Sequence, residues 1–159
     1  MTRINMRSWE NRSKEIAYLL NPAYCGKILY SSIKRYNETS SKGAFPFALI
    51  YLILPLMLYP QVPEKINAKS RFSKFVTDNP ELLINFGKRA SSLTTITNEA
   101  IEFLMSGKLV VFNDDATLSC FESLKIPNDD LIKKSSALGK MLATAGSTNV
   151  IYLMLGVKP

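Results

Sequence analysis

Apolar residues recur at helical spacing along most of this chain, as they do on one face of an α-helix. The pattern predicts helices over residues 9–20, 23–38, 47–58, 78–90, 97–104 and 129–145. In the second of these, Ile28, Ile33 and Tyr36 share the face that we expect to be buried. Asn21 and Pro22 precede it and suit the cap and the first position of a helix. The chain is therefore predicted to be mainly helical.

A different pattern marks residues 108–120. Two short runs, 108–112 and 116–120, flank the turn-forming triplet Asn113-Asp114-Asp115 and predict a β-hairpin. Two predicted helices joined by a short turn come before it, and this is the order of a winged helix. We therefore expect an α+β protein that is predominantly α-helical and winged-helix-like, with one small β-hairpin at about 108–120.

The length of 159 residues suits one domain over 1–159, with a helical half at about 1–75 and a winged-helix-like half at about 76–159. The net charge of +7 is unevenly placed: residues 1–75 contain 12 Lys or Arg and 4 Asp or Glu, whereas residues 76–159 contain 8 and 9. Such asymmetry indicates a face for nucleic acid, a lipid surface or an acidic protein, or else a solvated basic face. The candidate nucleic-acid contacts are Lys34, Arg35, Lys42, Lys69, Arg71, Lys74, Lys88 and Arg89.

The segment 44–60 carries no charge, but it is shorter than the roughly 20 apolar residues that span a bilayer. Pro46, Pro55 and Pro60 interrupt it, so we expect a buried core helix that kinks or ends before Pro55. The segment is long for so small a domain, which leaves open that a partner buries part of residues 45–59. No signal peptide is expected, because no apolar core follows the basic residues near the N-terminus.

The composition argues against independent catalysis. The chain has no histidine, which is the commonest general base and metal ligand. Its two cysteines are too few for a disulfide framework and indicate a reducing compartment, so we expect a cytoplasmic protein in which Cys25 is a packed thiol. The pairs Asp114-Asp115 and Asp129-Asp130 suit a turn and a helix start better than a metal site. We predict no enzymatic activity, no cofactor and no metal.

The winged-helix order raises the question of DNA binding, in which the helix over 95–105 would enter the major groove. That helix carries Glu99 and Glu102 and no basic residue, which suits a negatively charged groove poorly. A winged helix used for protein contact is therefore the preferred interpretation. A stand-alone winged-helix DNA-binding regulator is the alternative.

Several short motifs occur in an order that is similar to a known family. They are Asn21-Pro22-Ala23-Tyr24-Cys25, Leu54-Pro55-Leu56, the helix 86–93 with residues 97–100, Gly107-Lys108-Leu109, Leu138-Gly139-Lys140 and Leu155-Gly156-Val157-Lys158-Pro159. Over about residues 15–159 the chain resembles the middle component of three-component ABC/SMC-type bacterial defence systems, of which Lamassu is the best-known kind. It departs from that family in having Lys140 and Lys158 where arginine is expected, which keeps the charge and loses the bidentate fork.

The resemblance implies a non-catalytic subunit that bridges an SMC- or Rad50-like ATPase and an effector subunit, commonly a nuclease, in an antiphage or anti-plasmid complex. The ATPase would sense foreign double-stranded DNA with the assistance of this subunit, and no membrane is involved. The tail over 156–159 is expected to dock in a groove of a partner, or else to pack on its own domain. The residues that the motifs nominate for partner contact are Asn21, Pro22, Tyr24, Pro55, Gly139, Lys140, Gly156, Val157, Lys158 and Pro159.

Overall fold

The computed structural model describes residues 21–121 and 129–157. The α-helices are α1 (Pro22–Thr39), α2 (Ile50–Met57), α3 (Phe72–Asp78), α4 (Phe86–Ser92), α5 (Thr94–Ser106), α6 (Asp130–Ala143) and α7 (Thr148–Met154). The strands are β1 (Phe45–Pro46), β2 (Val110–Phe112) and β3 (Thr117–Cys120), and short 3-10 turns cover Phe47–Leu49, Pro63–Lys65 and Pro80–Leu83. The predicted fold class, α+β and predominantly helical with a small hairpin, is confirmed.

Three of the predicted helices have close counterparts in the structure. Those expected over 23–38, 97–104 and 129–145 are α1, α5 and α6, with ends that differ by a few residues. The helix expected over 9–20 lies outside the described residues. The winged-helix label stays a prediction, although a hairpin follows α5 as that label requires.

Helix α1 lies at the centre of the fold. Its start follows the predicted capping, since Asn21 Oδ1 accepts hydrogen bonds from the backbone N–H groups of Ala23 (2.8 Å) and Tyr24 (3.3 Å). All three residues predicted to face inward are buried. The helix packs most extensively against α6, then against α5, and also contacts α2. The two halves distinguished by charge therefore contribute to one hydrophobic core.

Helices α1 and α6 approach each other closely where small residues meet. Ser32 Oγ donates a hydrogen bond of 2.7 Å to the backbone oxygen of Ser135. Ser135 is fully buried, and its own hydroxyl donates to the carbonyl of Leu131 one turn earlier, at 2.9 Å. A Cβ placed on Gly139 would lie 2.2 Å from the carbonyl oxygen of Ser32. Only glycine therefore fits at position 139 without moving the two helices apart.

The sheet has the strand order β1-β3-β2, and both pairings are antiparallel. The predicted hairpin is confirmed as β2 and β3, with Asp114 and Asp115 in its turn. Strand β1 is not predicted by the pattern, and it consists of two residues, of which Phe45 is opposite Leu118. Asn37, near the end of α1, fixes it, because its side chain accepts from the Phe45 N–H (2.8 Å) and donates to the Leu118 carbonyl (3.1 Å).

Helix α2 is the apolar centre of the first half of the chain. The interpretation of this segment as a buried helix is confirmed, since Leu52, Ile53 and Leu54 are at most 1% exposed. The helix does not end before Pro55 but continues to Met57. The buried side chains of α2 belong to the hydrophobic core of this chain, and burial of the remaining residues of 45–59 by a partner stays a prediction. Within residues 21–121 and 129–157, no helix is long and apolar enough to cross a membrane.

The region between α2 and α5 differs most from the sequence prediction. Helix α3 is not predicted, although Phe72 and Phe75 lie one turn apart and are both buried. The continuous helix expected over 78–90 is wrong, because the backbone reverses at Asn85, between the third 3-10 turn and α4. Asn85 has φ 59°, in the left-handed region that asparagine tolerates better than most residues with a side chain.

The last described segment folds back onto the core. The Tyr152 hydroxyl of α7 donates a hydrogen bond to the carbonyl of Ala48, in the turn before α2. After α7, Gly156 has φ 72°, and the Val157 N–H donates to the Tyr152 carbonyl at 3.0 Å. A glycine in the left-handed region just past a helix satisfies carbonyl groups that the helix leaves without partners. Leu155 is only 4% exposed, so the helix end is part of the core.

Candidate interaction surfaces

A cavity of about 400 Å³ lies between α3 and the loop that precedes it. Four of the residues around it are basic: Lys65, Lys69, Arg71 and Lys74. We call these four residues the basic patch. The one carboxylate among the lining residues, that of Asp78, is 3.0 Å from Lys74 Nζ. The other three cations have no ion-pair partner within the described residues, so the patch keeps most of its positive charge.

The loop of the basic patch is ordered by its own polar groups. Asn67 Oδ1 accepts from the backbone N–H of Lys69 at 2.8 Å, and the Asn67 N–H donates to Ser70 Oγ at 2.9 Å. The Asn67 carbonyl also accepts from the Ser70 N–H at 3.0 Å. Side chains of asparagine and serine commonly stabilise turns in this way. The backbone that carries Lys69 is therefore fixed.

Helix α6 supports the same loop with two lysines. Lys134 Nζ donates to the carbonyl of Ile66, and Lys140 Nζ donates to the carbonyl of Ala68 at 3.1 Å. Because these ammonium groups meet neutral carbonyls rather than carboxylates, their charges add to the potential of the basic patch. Lys140 thus has a contact within its own chain, and the partner contact predicted for it stays a prediction.

The other candidate nucleic-acid contacts do not line this cavity. Lys34 lines a second cavity of about 640 Å³ beside the end of α1. On the same helix, Arg35 Nη1 is 4.0 Å from Glu38 Oε1. Lys42 and Lys88 are exposed, in the loop after α1 and on α4. The structure therefore brings together three of the predicted contacts, Lys69, Arg71 and Lys74. The other predicted contacts do not line this cavity.

Arg89 holds the backbone reversal before α4. Its guanidinium donates to the carbonyl of Ile84 at 3.0 Å and to that of Leu82 at 3.1 Å. The guanidinium carbon also lies 4.0 Å from the ring centroid of Tyr59, which is a cation–π contact. Burial lowers the pKa of Arg89, but a guanidinium stays charged at neutral pH. Arg89 has a structural role, and the nucleic-acid contact predicted for it stays a prediction.

Cys25 is buried and Cys120 is half-buried. Burial raises the pKa of Cys25 from 9.0 to about 12 and that of Cys120 from 9.0 to about 11. The interpretation of Cys25 as a packed thiol is confirmed by its exposure of 0%. Asp129 caps α6 by accepting from the Leu131 N–H at 2.8 Å, as expected for a helix start. In the described part of the chain, no group of three or more Cys, Asp or Glu is placed to hold a metal ion.

Alkylation of Cys120 by iodoacetamide at pH 8 is expected to be slower in the native protein than in the urea-unfolded chain by a factor of about 100. The thiolate is the reactive form, and burial reduces its population at that pH. Mass spectrometry of the labelled peptide at timed intervals measures the two rates. Equal rates would show that the thiol is not shielded.

Large apolar side chains are exposed between the end of α5 and the residue after β3, with exposed fractions from 39% to 67%. Leu109 connects these segments, because its N–H donates to the Leu104 carbonyl at 2.9 Å and its carbonyl accepts from the Phe121 N–H at 3.0 Å. Large exposed apolar side chains of this kind are candidates for contact with a partner. We call the set the apolar rim: Phe103, Met105, Val111, Phe112 and Phe121.

The sequence contains a signal for the apolar rim that the periodicity argument does not use. On α5, Ala100 and Leu104 define the buried face, and Phe103 and Met105 fall on either side of Leu104. On β2, consecutive apolar residues point to opposite faces of a sheet, so one of them must point away from the core. An excess of apolar residues over the buried face thus indicates an apolar surface.

Residues of the family motifs contact their own chain. The Tyr24 hydroxyl donates to Asp129 Oδ2 at 3.0 Å and so links the starts of α1 and α6. Pro55 is buried in α2, and Gly139 is buried at the α1–α6 crossing. Of the C-terminal tail, only residues 156 and 157 are described, and they form the turn after α7. The partner contacts predicted for these residues stay predictions.

The described residues thus define a small, mainly helical α+β protein with a basic patch and an apolar rim on its surface. The family model described as ABC-three component (ABC-3C) system Middle Component 3 matches residues 9–159. The chain belongs to this family and is a middle component of an ABC-3C defence system, which has further components. This confirms the resemblance at the level of the middle component. Comparisons with curated proteins and with solved structures give no match.

Proposed function

We propose that the chain is a non-catalytic accessory subunit that bridges an SMC- or Rad50-like ATPase and a nuclease effector. The complex would be Lamassu-like and cytoplasmic, would act against phages and plasmids, and would sense DNA with the help of this subunit. Membership of the ABC-3C family supports the proposal, since a middle component works with other components. The observation that carries it is the apolar rim, because a subunit of a stable complex needs an apolar surface to bury.

The chemistry of the apolar rim fits a protein partner. Aromatic residues and methionine are enriched at the centres of protein interfaces, and the rim contains Phe103, Met105 and Phe121. The exposed carboxylates of Glu99 and Glu102 lie on the same helix, α5, and supply a polar border. The basic patch differs from this surface in charge and composition. Two chemically distinct surfaces suit a subunit with two different neighbours.

Replacing Phe121 with aspartate is expected to reduce the recovery of a partner component at least about tenfold when the tagged chain is co-expressed with the other two components. Phe121 is 67% exposed, so the change places a charge in the interface without removing a core residue. Ile84→Asp is the matched control, because Ile84 is 65% exposed and lies outside the rim. Equal recovery with both variants would contradict a role for the apolar rim.

The predicted docking of the C-terminal tail requires its own test. Deleting the last five residues would remove Leu155, which is 4% exposed, and would damage the core together with the tail. Leu153→Asp is the better variant, because Leu153 is 72% exposed on α7. Loss of partners with Leu153→Asp but not with Phe121→Asp would place the interface at α7 and the tail.

A stand-alone winged-helix DNA-binding regulator is the second candidate. The hairpin directly after α5 favours it. The exposed Glu99 and Glu102 on α5 disfavour it, because they would face the phosphates of a DNA groove. This candidate predicts a sequence-specific footprint by the isolated chain and no stable association with the other components.

A further inference from the structure

We propose that the basic patch binds the phosphodiester backbone of double-stranded DNA, and that Lys134 and Lys140 of α6 hold its loop in place for that contact. The inference rests on the proposed function, in which the complex senses DNA, and it assigns the contact to one surface. That surface is the basic patch rather than α5 or the end of α1.

The basic patch carries positive charge of which most is not compensated by a carboxylate within the described residues. Lys65, Lys69 and Arg71 are exposed, and none of them has an ion-pair partner within the described residues. Lys134 and Lys140 bind backbone carbonyls of the same loop and form no ion pair within the described residues. Cations grouped around a cavity produce a local positive potential that attracts a polyanion. DNA is complementary to this surface because its backbone carries a negative charge at every phosphate.

The polar character of the surface favours nucleic acid over an acidic protein. No large apolar side chain is strongly exposed in residues 60–79, whereas the apolar rim lies further along the chain. Protein interfaces have apolar or aromatic centres, and phosphate contacts require only cations and polar donors. Asn67, Ser70 and Asn79 line the cavity and supply such neutral polar groups.

The loop is also preorganised. Its turn is closed by the hydrogen bonds of Asn67 and Ser70, and α6 holds the carbonyls of Ile66 and Ala68. Ordering a flexible loop at the moment of binding reduces affinity, so a loop that is ordered beforehand binds more tightly. Lys134 and Lys140 are therefore positioning residues, and the residues of the basic patch make the contacts.

The test uses the full chain, alone and in the co-expressed complex, with a double-stranded DNA of mixed sequence at several salt concentrations. Replacing Lys69 and Arg71 together with glutamine is expected to reduce the slope of log affinity against log salt concentration by about 2, since each phosphate contact contributes about 0.9. Affinity at low salt should fall at least about tenfold. The matched control is Lys108→Gln with Lys133→Gln, an equal change of charge at exposed positions outside the candidate contacts, which should leave the slope unchanged.

Recovery of the partner components is measured with the same variants, and circular dichroism verifies their folding. A smaller slope with unchanged partner recovery supports the inference. An unchanged slope with unchanged partner recovery overturns it and leaves the bridging role intact. An unchanged slope with loss of a partner also overturns it and assigns the basic patch to an acidic protein surface. Loss of partners from the Phe121→Asp variant concerns only the proposed function, so the two failures are distinguishable.

Discussion

Replacing Gly139 with alanine is expected to lower the free energy of unfolding by about 3 kcal/mol or more, which is a large part of the stability of a typical domain. The new Cβ would lie 2.2 Å from the carbonyl oxygen and 2.9 Å from the carbonyl carbon of Ser32. Both are backbone atoms of a buried helix, so the collision is relieved only if α1 and α6 separate. Separation would also break the hydrogen bond between Ser32 Oγ and the Ser135 carbonyl.

Gly87→Ala is the matched control for this change. Gly87 is exposed on α4, and a Cβ there would meet nothing within 4 Å. We expect it to be neutral or to stabilise the protein by about 0.5 kcal/mol, because alanine reduces the conformational entropy of the unfolded chain. Urea denaturation followed by circular dichroism measures both variants. A Gly139→Ala protein with the wild-type midpoint would contradict the close crossing of α1 and α6.

Replacing Arg89 with alanine is expected to lower the free energy of unfolding by about 2 kcal/mol. The variant loses the two hydrogen bonds to the carbonyls of Leu82 and Ile84. Both carbonyls lie before the start of α4. It also loses the contact of the guanidinium with the Tyr59 ring. Thermal and urea denaturation measure the effect, and the loop over 80–85 should become more accessible to proteases.

The neighbouring lysine provides the control for the Arg89 variant. Lys88→Ala removes an equal charge at an exposed position and should change stability by less than about 0.5 kcal/mol. Arg89→Lys should restore only part of the loss, because one ammonium group does not reproduce the planar fork and the ring contact. If Arg89→Ala kept full stability but lowered DNA affinity, the predicted nucleic-acid contact would be right and the structural role wrong.

The elements that sequence reasoning placed well are those that local chemistry specifies. Asn21 caps α1 through N–H groups two and three residues away, so the pattern of a capping side chain before a proline is sufficient. The buried face of α1 follows from its apolar spacing alone. The hairpin follows from a turn triplet between two apolar runs, and it needs no partner from elsewhere in the chain to be recognised.

The elements that sequence reasoning missed depend on distant residues. Strand β1 is too short for a pattern and is defined by its pairing with β3 and by the side chain of Asn37. The reversal at Asn85 interrupts a run with helical spacing, and Arg89 stabilises it through side-chain contacts. The loop of the basic patch is held by Lys134 and Lys140, which are 68 and 72 positions away from the carbonyls that they bind.

The candidate sites also divide into features that the sequence shows and features that depend on the tertiary structure. Counting charges identifies Lys69, Arg71 and Lys74 as candidates, and the structure places them around one cavity. Counting charges also selects Arg89, although its guanidinium is used inside the fold. An exposed arginine and a structural arginine look alike in a sequence, since only the tertiary environment separates them. The apolar rim was missed for the opposite reason, because apolar residues are assigned to the core by default.

The contact between α1 and α6 joins residues that are synthesised far apart in time. Ser32 and Ser135 are separated by 103 positions, which at roughly 5–20 residues per second corresponds to about 5–20 s of translation. During that interval the apolar face of α1 has no access to its main neighbour. The nascent chain therefore passes through an aggregation-prone stage, in which chaperones would shield α1. A chain whose translation stopped before α6 would leave the apolar face of α1 uncovered, and we expect it to be degraded rather than assembled.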